Sequence, residues 1–240
     1  MEKKVIAIHQ PNFLPWLGYF HKMLHSDVFV FFDDVQFPRG KSFCSRVLIK
    51  SPNGEQWLTI PVAGKGEKSL VKQVEVNGNL WIKKTLKSLI FNYQKSPFFN
   101  ELYPGLEQII KKKQPLLSEL NIELIRFIME YLESDTRLLR SSEICTGNEL
   151  PAEEKIIYIL KELNASHYIS GSGAGSTRYI DEDEFSFNNI QLIWQHFKHP
   201  EYPQLFGEFR PNLSIIDLLF NCGSKRSHEI LQEIDIEIKG

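Results

Sequence analysis

Hydrophobic residues arrive along this chain in two kinds of run, and their alternation predicts an architecture. Val5–Ile8, Val28–Phe32, Arg137–Ile144, His167–Ile169 and Ile190–Phe197 are short stretches that read as strands. The continuous apolar run at Val28–Phe32 fits a strand covered on both faces, as in a parallel sheet. Helical spacing alternates with them. Leu17–Leu24 reads as a short helix; Leu80, Ile82, Leu86, Leu89, Ile90 and Tyr93 share a face; and Leu106–Leu132 continues the period with a break at Pro115. "PAEEKIIYILKEL", from Pro151, carries proline and acidic residues at a helix start. "NLSIIDLLFNCG" reads as a short helix with Asn212 or Ser214 as cap and Gly223 as stop. In "SRVLIKSPNGEQWLTIPV", two strand-like runs flank Ser51-Pro52-Asn53-Gly54, a hairpin turn, and Leu70–Val76 adds a further strand.

These elements predict an α/β fold with a mainly parallel sheet core, a β-hairpin and a helical insertion. The expected organisation is a single domain over 1–240, with the hairpin at about residues 43–62 and the insertion at about 80–135. No repeat, low-complexity stretch or linker divides the chain.

Composition narrows the function classes. With 42% hydrophobic and 24% charged residues the chain can bury a substantial core. Lys+Arg 28 against Asp+Glu 30 leaves a net charge of −2, so there is no bulk basic field of the kind that drives non-specific nucleic-acid binding. Cys44, Cys145 and Cys222 lie far apart without zinc spacing and read as reduced, buried thiols. The apolar run after Lys4 is too short for a signal peptide, and no apolar stretch approaches the roughly 20 residues of a membrane span. A cytoplasmic protein with no membrane span and no metal is expected.

Chemistry concentrates where strands end. A strand, loop, helix and strand over residues 5–32 form a β-α-β unit, which is right-handed by rule and collects ligands at the carboxyl ends of its strands. His9, Gln10 and Asn12 stand at the first such end, where an imidazole can serve as a base and the amides can hold polar substrate atoms. The competing reading is that they hold only the loop's own backbone. Asp33 and Asp34 stand at the second end, and Arg39 and Arg46 follow as candidate partners for a phosphate or carboxylate. A charged hairpin edge would also account for that basic stretch. In "YISGSGAGSTRYID", Ser170, Gly171, Gly173 and Gly175 form a loop whose backbone N–H groups can approach an anion, although it matches neither a P-loop nor G-x-G-x-x-G. In the tail, His199 and Tyr202 sit in a proline-broken loop that argues against metal ligation, and Asp217 interrupts an apolar helix.

Taken together, "AIHQPNFLPWLGYFHKM", "FDDVQFPR", "YISGSGAGS" and "FKHPEYPQ" with "PNLSIIDLLFNCG" resemble the WbqC-like family over nearly the whole chain. That resemblance implies a role in bacterial O-antigen assembly and a suggested glycine transfer. The implied enzyme is an N-aminoacyltransferase whose acceptor is a nucleotide-linked amino sugar and whose donor is a carrier protein, an aminoacyl-tRNA or a thioester, with no cofactor required. On this reading His9 is the base and Asp33 holds the amine. Gln10, Asn12 and Asp34 bind substrate, Ser170 with Gly171, Gly173 and Gly175 cradles an oxyanion or diphosphate, and Arg39 or Arg46 meets phosphate. His199, Tyr202, Asn212 and Asp217 complete the pocket. A fainter resemblance, to the opening of nucleotidyltransferases and class I aminoacyl-tRNA synthetases, implies instead a nucleotide-binding transferase or ligase using ATP and magnesium. Their H-x-G-H is missing here: the matching stretch is Trp16-Leu17-Gly18-Tyr19. A non-catalytic carbohydrate-binding accessory is the third expectation.

Overall fold

A computed structural model describes residues 3–38, 40–63, 69–147, 150–173, 177, 180–234 and 236. The chain opens with β1 (Val5–His9), α1 (Leu17–Leu24) and β2 (Val28–Phe31). An insertion follows: the hairpin β3 (Arg46–Ser51) and β4 (Gly54–Thr59), the two-residue strands β5 (Val62–Ala63) and β6 (Glu75–Val76), then α2 (Leu80–Tyr93), α3 (Phe99–Lys111) and α4 (Leu117–Tyr131). The chain returns through β7 (Arg137–Arg140), α5 (Ser141–Ile144), α6 (Ala152–Glu162), β8 (His167–Gly171), α7 (Glu182–Phe187), β9 (Gln191–Gln195) and α8 (Ile215–Gln232).

Five of these strands form one parallel sheet in the order β7-β2-β1-β8-β9. Counted along the chain, that order runs third, second, first, fourth, fifth, so the sheet winds outward in both directions from a switch point between β1 and β8. A crevice opens at such a point because the connections leaving the two strands diverge.

Register decides which side chains face which layer. Ala7 pairs with Phe29 and Ile169, His9 with Phe31, and Gly171 with Gln195. Since successive side chains alternate, His9, Phe29, Phe31, Gly171 and Gln195 share one face. Helix α1 covers that face: the Tyr19 ring lies 5.2 Å from Phe29, and Gln195 Nε2 donates to the Gly18 carbonyl at 2.8 Å. On the opposite face Tyr168 stacks against Phe185 of α7 at 5.4 Å. Phe20, Phe29 and Phe31 are completely buried, and each such ring contributes about 1.5–3 kcal/mol by leaving water.

The insertion folds back onto the loop between β1 and α1. Phe13 N–H donates to the Phe43 carbonyl at 3.0 Å, and Ile215 N–H to the Pro15 carbonyl at 2.8 Å. Asn121 of α4, fully buried, donates to the carbonyls of Pro11 at 2.9 Å and Cys44 at 2.7 Å. A loop that reads as irregular is therefore held from three sides.

The architecture agrees with the α/β expectation, and the differences lie at element ends. Leu70–Val76, expected as a strand, is a 3-10 turn over Val71–Gln73 followed by β6. Residues 106–132 hold two helices, the first starting at Phe99 with Pro104 inside it. Only Arg137–Arg140 of the expected 137–144 strand is extended, because Ser141 starts α5. The last helix does not stop at Gly223: it passes through a kink there, with φ 72° and ψ 180°, and runs on to Gln232. Ser227, Ile230 and Leu231 are buried, which holds the second half in place. The cap is Ser214, whose side chain accepts from Ile216 N–H.

Candidate functional site

His9 closes β1 at the switch point. Its Nδ1 lies 3.1 Å from the Gln10 carbonyl, and a carbonyl only accepts, so Nδ1 carries the proton. Burial, reinforced by the positive charge of Lys22, lowers its pKa from 6.5 to about 3. The ring is therefore neutral at physiological pH, with the Nε2 lone pair unused among the described residues. Tyr19 packs edge-on against it at 5.0 Å and donates its hydroxyl to the Gln10 carbonyl at 3.1 Å, which fixes the imidazole in place.

Gln10 and Asn12 continue the site outward. Their side-chain oxygens stand 3.6 and 3.3 Å from Cys44 Sγ, which serves as a shared thiol donor. Cys44 is 1% exposed and its pKa is pushed up to about 11 by burial, so it is a structural thiol and not a nucleophile. Asn12 also lines a cavity of about 310 Å³ with Phe13, Pro15, Trp16, Phe43, Arg46 and Asn212. The volume and the mix of aromatic walls with a few polar groups suit a small organic ligand. Arg46 lies over the Trp57 ring at 3.9 Å, and its buried Nε has no hydrogen-bond partner among the described residues. His199 packs 5.6 Å from the wall residue Trp16, and its buried Nε2 has no hydrogen-bond partner among the described residues. Burial lowers the His199 pKa against an opposing hydrogen bond from Asn212. Asn212 itself stands at φ 62°, a left-handed conformation that asparagine tolerates.

The two aspartates at the end of β2 are engaged inside the protein. Asp33 Oδ1 accepts from the Ser142 N–H at 3.0 Å and Oδ2 from the Ser142 hydroxyl at 2.9 Å, while the Ser141 hydroxyl, whose single proton is shared with Asp34, stands 3.1 Å from Oδ1. Asp34 accepts from Ser141 and is paired with Lys155 at 2.7 Å. Both carboxylates close the turn from β7 into α5, so the amine-holding role expected of Asp33 would share its oxygens with that turn. Ser170 likewise points to the face opposite His9, by strand alternation, while Gly171 lies on the His9 face. Gly173 stands two residues past the end of β8, and Ser172 anchors that stretch by donating to the Gln195 carbonyl at 3.0 Å. Arg39 and Gly175 lie outside the described residues.

Tyr202 and Asp217 meet away from the cavity wall. Asp217 is fully buried, accepts from the Tyr93 and Tyr202 hydroxyls at 2.8 and 3.0 Å, and has its pKa raised from 3.8 to about 6 by burial. This trio ties α2, the tail loop and α8 together.

Comparison with known proteins now adds to the geometry. The family model described as "WbqC-like protein family" matches residues 10–229. The chain belongs to the WbqC-like family. A Mycobacterium tuberculosis protein, printed as "Uncharacterized protein Rv1507c", is 35% identical over 227 residues, covering 92% of this chain and 95% of its own. No solved structure matches. The matched span of the WbqC-like chain contains the whole cavity lining and the aspartate network, and begins one residue after His9. Among the described residues no helix is long and apolar enough to cross a membrane, and no group of three or more His, Cys, Asp or Glu could hold a metal ion.

Several residues of this WbqC-like site escape sequence reasoning. Lys22 falls on the buried face of α1, three positions after Tyr19, which its place in "GYFHKML" could have signalled. Ser141, Ser142 and Lys155 carry no local mark, since their partners lie more than a hundred residues away. His21 is a contrast to His9: buried, neutral and satisfied on both nitrogens, by the Ile234 carbonyl at 2.8 Å and Gln195 at 2.7 Å.

Asp217 makes stability pH-dependent in a stated direction. Its folded pKa lies above its unfolded value, so its contribution is fully present below about pH 3.8 and is lost as pH rises through about 6. The two-unit difference is on the order of 3 kcal/mol. Asp217→Asn cannot ionise, so the gap in unfolding free energy between wild type and variant shrinks, then reverses or levels, between pH 4 and pH 7 in urea titrations. Parallel slopes for the two proteins would assign the titration to another group.

Proposed function

We propose that this WbqC-like chain is an N-aminoacyltransferase, glycyl by its family association, acting on the amine of a nucleotide-linked amino sugar in bacterial O-antigen or other surface-polysaccharide biosynthesis. The observation that carries the reading is the state of His9: a neutral imidazole, clamped through Nδ1, with Nε2 unpartnered among the described residues at the carboxyl end of a switch-point strand. In the reaction the sugar amine attacks the activated acyl carbonyl, forming a C–N bond and a tetrahedral oxyanion. Nitrogen becomes cationic and acidic as that bond forms, and His9 Nε2 takes its proton. The intermediate then collapses, the bond from acyl carbon to the donor's oxygen or sulfur breaks, and His9 returns the proton to the leaving group. Backbone N–H groups at Gly171 to Gly173 are the candidate donors to the oxyanion. The cavity beside Trp16 and Phe43 takes the flat part of the acceptor, with Asn12 and Asn212 offering amide hydrogen bonds.

A second reading, an ATP-dependent nucleotide-binding transferase or ligase, is favoured by the sheet order, because nucleotides bind at the switch point of such sheets. One assay separates the two. Purified protein is incubated with a nucleotide-linked amino sugar and glycine supplied as a thioester, as glycyl-tRNA, or free with ATP and magnesium, and products are weighed by mass spectrometry. Gain of one glycyl residue from a preactivated donor without ATP supports acyl transfer; gain only from free glycine with ATP supports ligation. No product from any donor removes both.

A further inference from the structure

Three lysines among the described residues are buried to 5% exposure or less: Lys22, Lys50 and Lys155. Two have hydrogen-bond partners. Lys155 pairs with the Asp34 carboxylate at 2.7 Å, and Lys50 donates to Gln204 Oε1 at 3.0 Å and the Glu208 carbonyl at 2.6 Å. Lys22, at 2% exposure, makes no hydrogen bond or ion pair with any described residue, and its Nζ is not among the fully enclosed polar atoms, so the tip of a buried side chain keeps a contact with solvent. An ammonium with so little water around it and no protein partner is unfavourable, so a fold that keeps one has either a neutral amine there or an anion to receive.

The position of Lys22 indicates which. It follows Tyr19 by three residues on α1, so the two side chains share a helix face, and the Tyr19 ring is 5.0 Å from that of His9. Helical side chains lean toward the helix N-terminus, which here means toward the carboxyl end of β1. The charge of Lys22 is felt directly by His9. Beside them, one register step past the Ala7–Ile169 pair, β8 ends in Ser170-Gly171 and continues into Ser172-Gly173, small residues that leave the chain's backbone open to a close-approaching ligand.

We propose that Lys22 is the phosphate-binding residue of the switch-point crevice, its ammonium receiving an oxygen of a substrate mono- or diphosphate that enters beside His9. This rests on the reading of that crevice as the substrate site. It adds to that reading a cation held for the ligand, and it gives the empty protein a local cost that the ligand removes. Burial lowers the Lys22 pKa to about 7, so the bound anion also draws a proton onto the amine and offsets its effect on His9.

The test uses the full chain as wild type, Lys22→Met and Lys22→Arg, titrated with inorganic pyrophosphate by calorimetry and followed by thermal unfolding. Methionine keeps the bulk and deletes the charge. The expected result is pyrophosphate binding to wild type that weakens at least tenfold in Lys22→Met, while the melting temperature of ligand-free Lys22→Met equals or exceeds that of wild type. Uridine diphosphate and ATP as further ligands then assign the phosphate to acceptor or donor. Unchanged pyrophosphate affinity in Lys22→Met overturns the proposal, as does stabilisation by acetate but not by pyrophosphate. Absence of pyrophosphate binding to wild type overturns it too. Should Lys22→Met unfold, Lys22→Arg decides: retained pyrophosphate binding supports the proposal and lost binding in a folded protein overturns it. Pyrophosphate binding that depends on Lys22 in a protein without acyl transfer would keep the phosphate site and reject the acyltransferase reading.

Discussion

His9→Gln lowers acyl transfer by about 10²–10⁴-fold while leaving the fold intact, the range expected when a positioned proton acceptor is removed. The glutamine amide can reproduce the bond to the Gln10 carbonyl, so the clamp that holds the loop survives. What disappears is the free Nε2 lone pair. The melting temperature stays within a few degrees of wild type, because His9 contributes one backbone hydrogen bond and one edge-on ring contact, together about 1–3 kcal/mol. The decisive measurement is kcat and KM for the same acceptor in both proteins, with circular dichroism as the folding control. A kcat within threefold of wild type would remove His9 from the chemistry and leave it a loop anchor.

Lys155→Met destabilises the protein by about 3–5 kcal/mol, the cost of stripping one partner from a buried ion pair. The two side chains are 7% and 8% exposed, and Lys155 also donates to the Asp34 carbonyl at 3.1 Å. Without it the Asp34 carboxylate keeps only the Ser141 hydroxyl, and the turn from β7 into α5 loses its tie to α6. For a domain of this size the melting temperature falls by about 10 °C. Asp34→Asn combined with Lys155→Met recovers part of the loss, because the orphaned charge is gone. Urea denaturation of both singles and the double supplies the coupling energy. A loss under about 1 kcal/mol in Lys155→Met would show that water reaches the pair.

These two sites differ in how far the chain alone discloses them. His9 is visible from local pattern: a four-residue apolar strand ends at an imidazole, and proline follows. The same pattern places Asp33 and Asp34 at a strand end, correctly for position, since β2 ends at Phe31. It does not disclose their internal partners, because Ser141, Ser142 and Lys155 meet them from 107 to 121 residues further along. Lys22 shows the converse. Helical spacing puts it on the face of Tyr19, yet a lysine beside apolar residues ordinarily extends to water, and only burial by the layers around α1 distinguishes it from the rest.

Secondary structure was legible where a single element's period was enough, as in Leu17–Leu24 and Leu80–Tyr93, whose ends match the expected ones. It was less so where a distant contact sets the boundary. Gly223 reads as a stop, but φ 72° gives it a bend instead, the Phe98 ring occupies the space a side chain would need, and the buried Ile230 and Leu231 carry the helix onward. Apolar periodicity therefore determined the α/β class, the hairpin and the helical insertion, since period is a property of neighbours along the chain. Strand order, the switch point between β1 and β8, and the separation of free polar groups from satisfied ones belong to the folded molecule. Each depends on which side chain from far along the chain occupies the space opposite, and that partner decides whether a buried charge is a brace or a site.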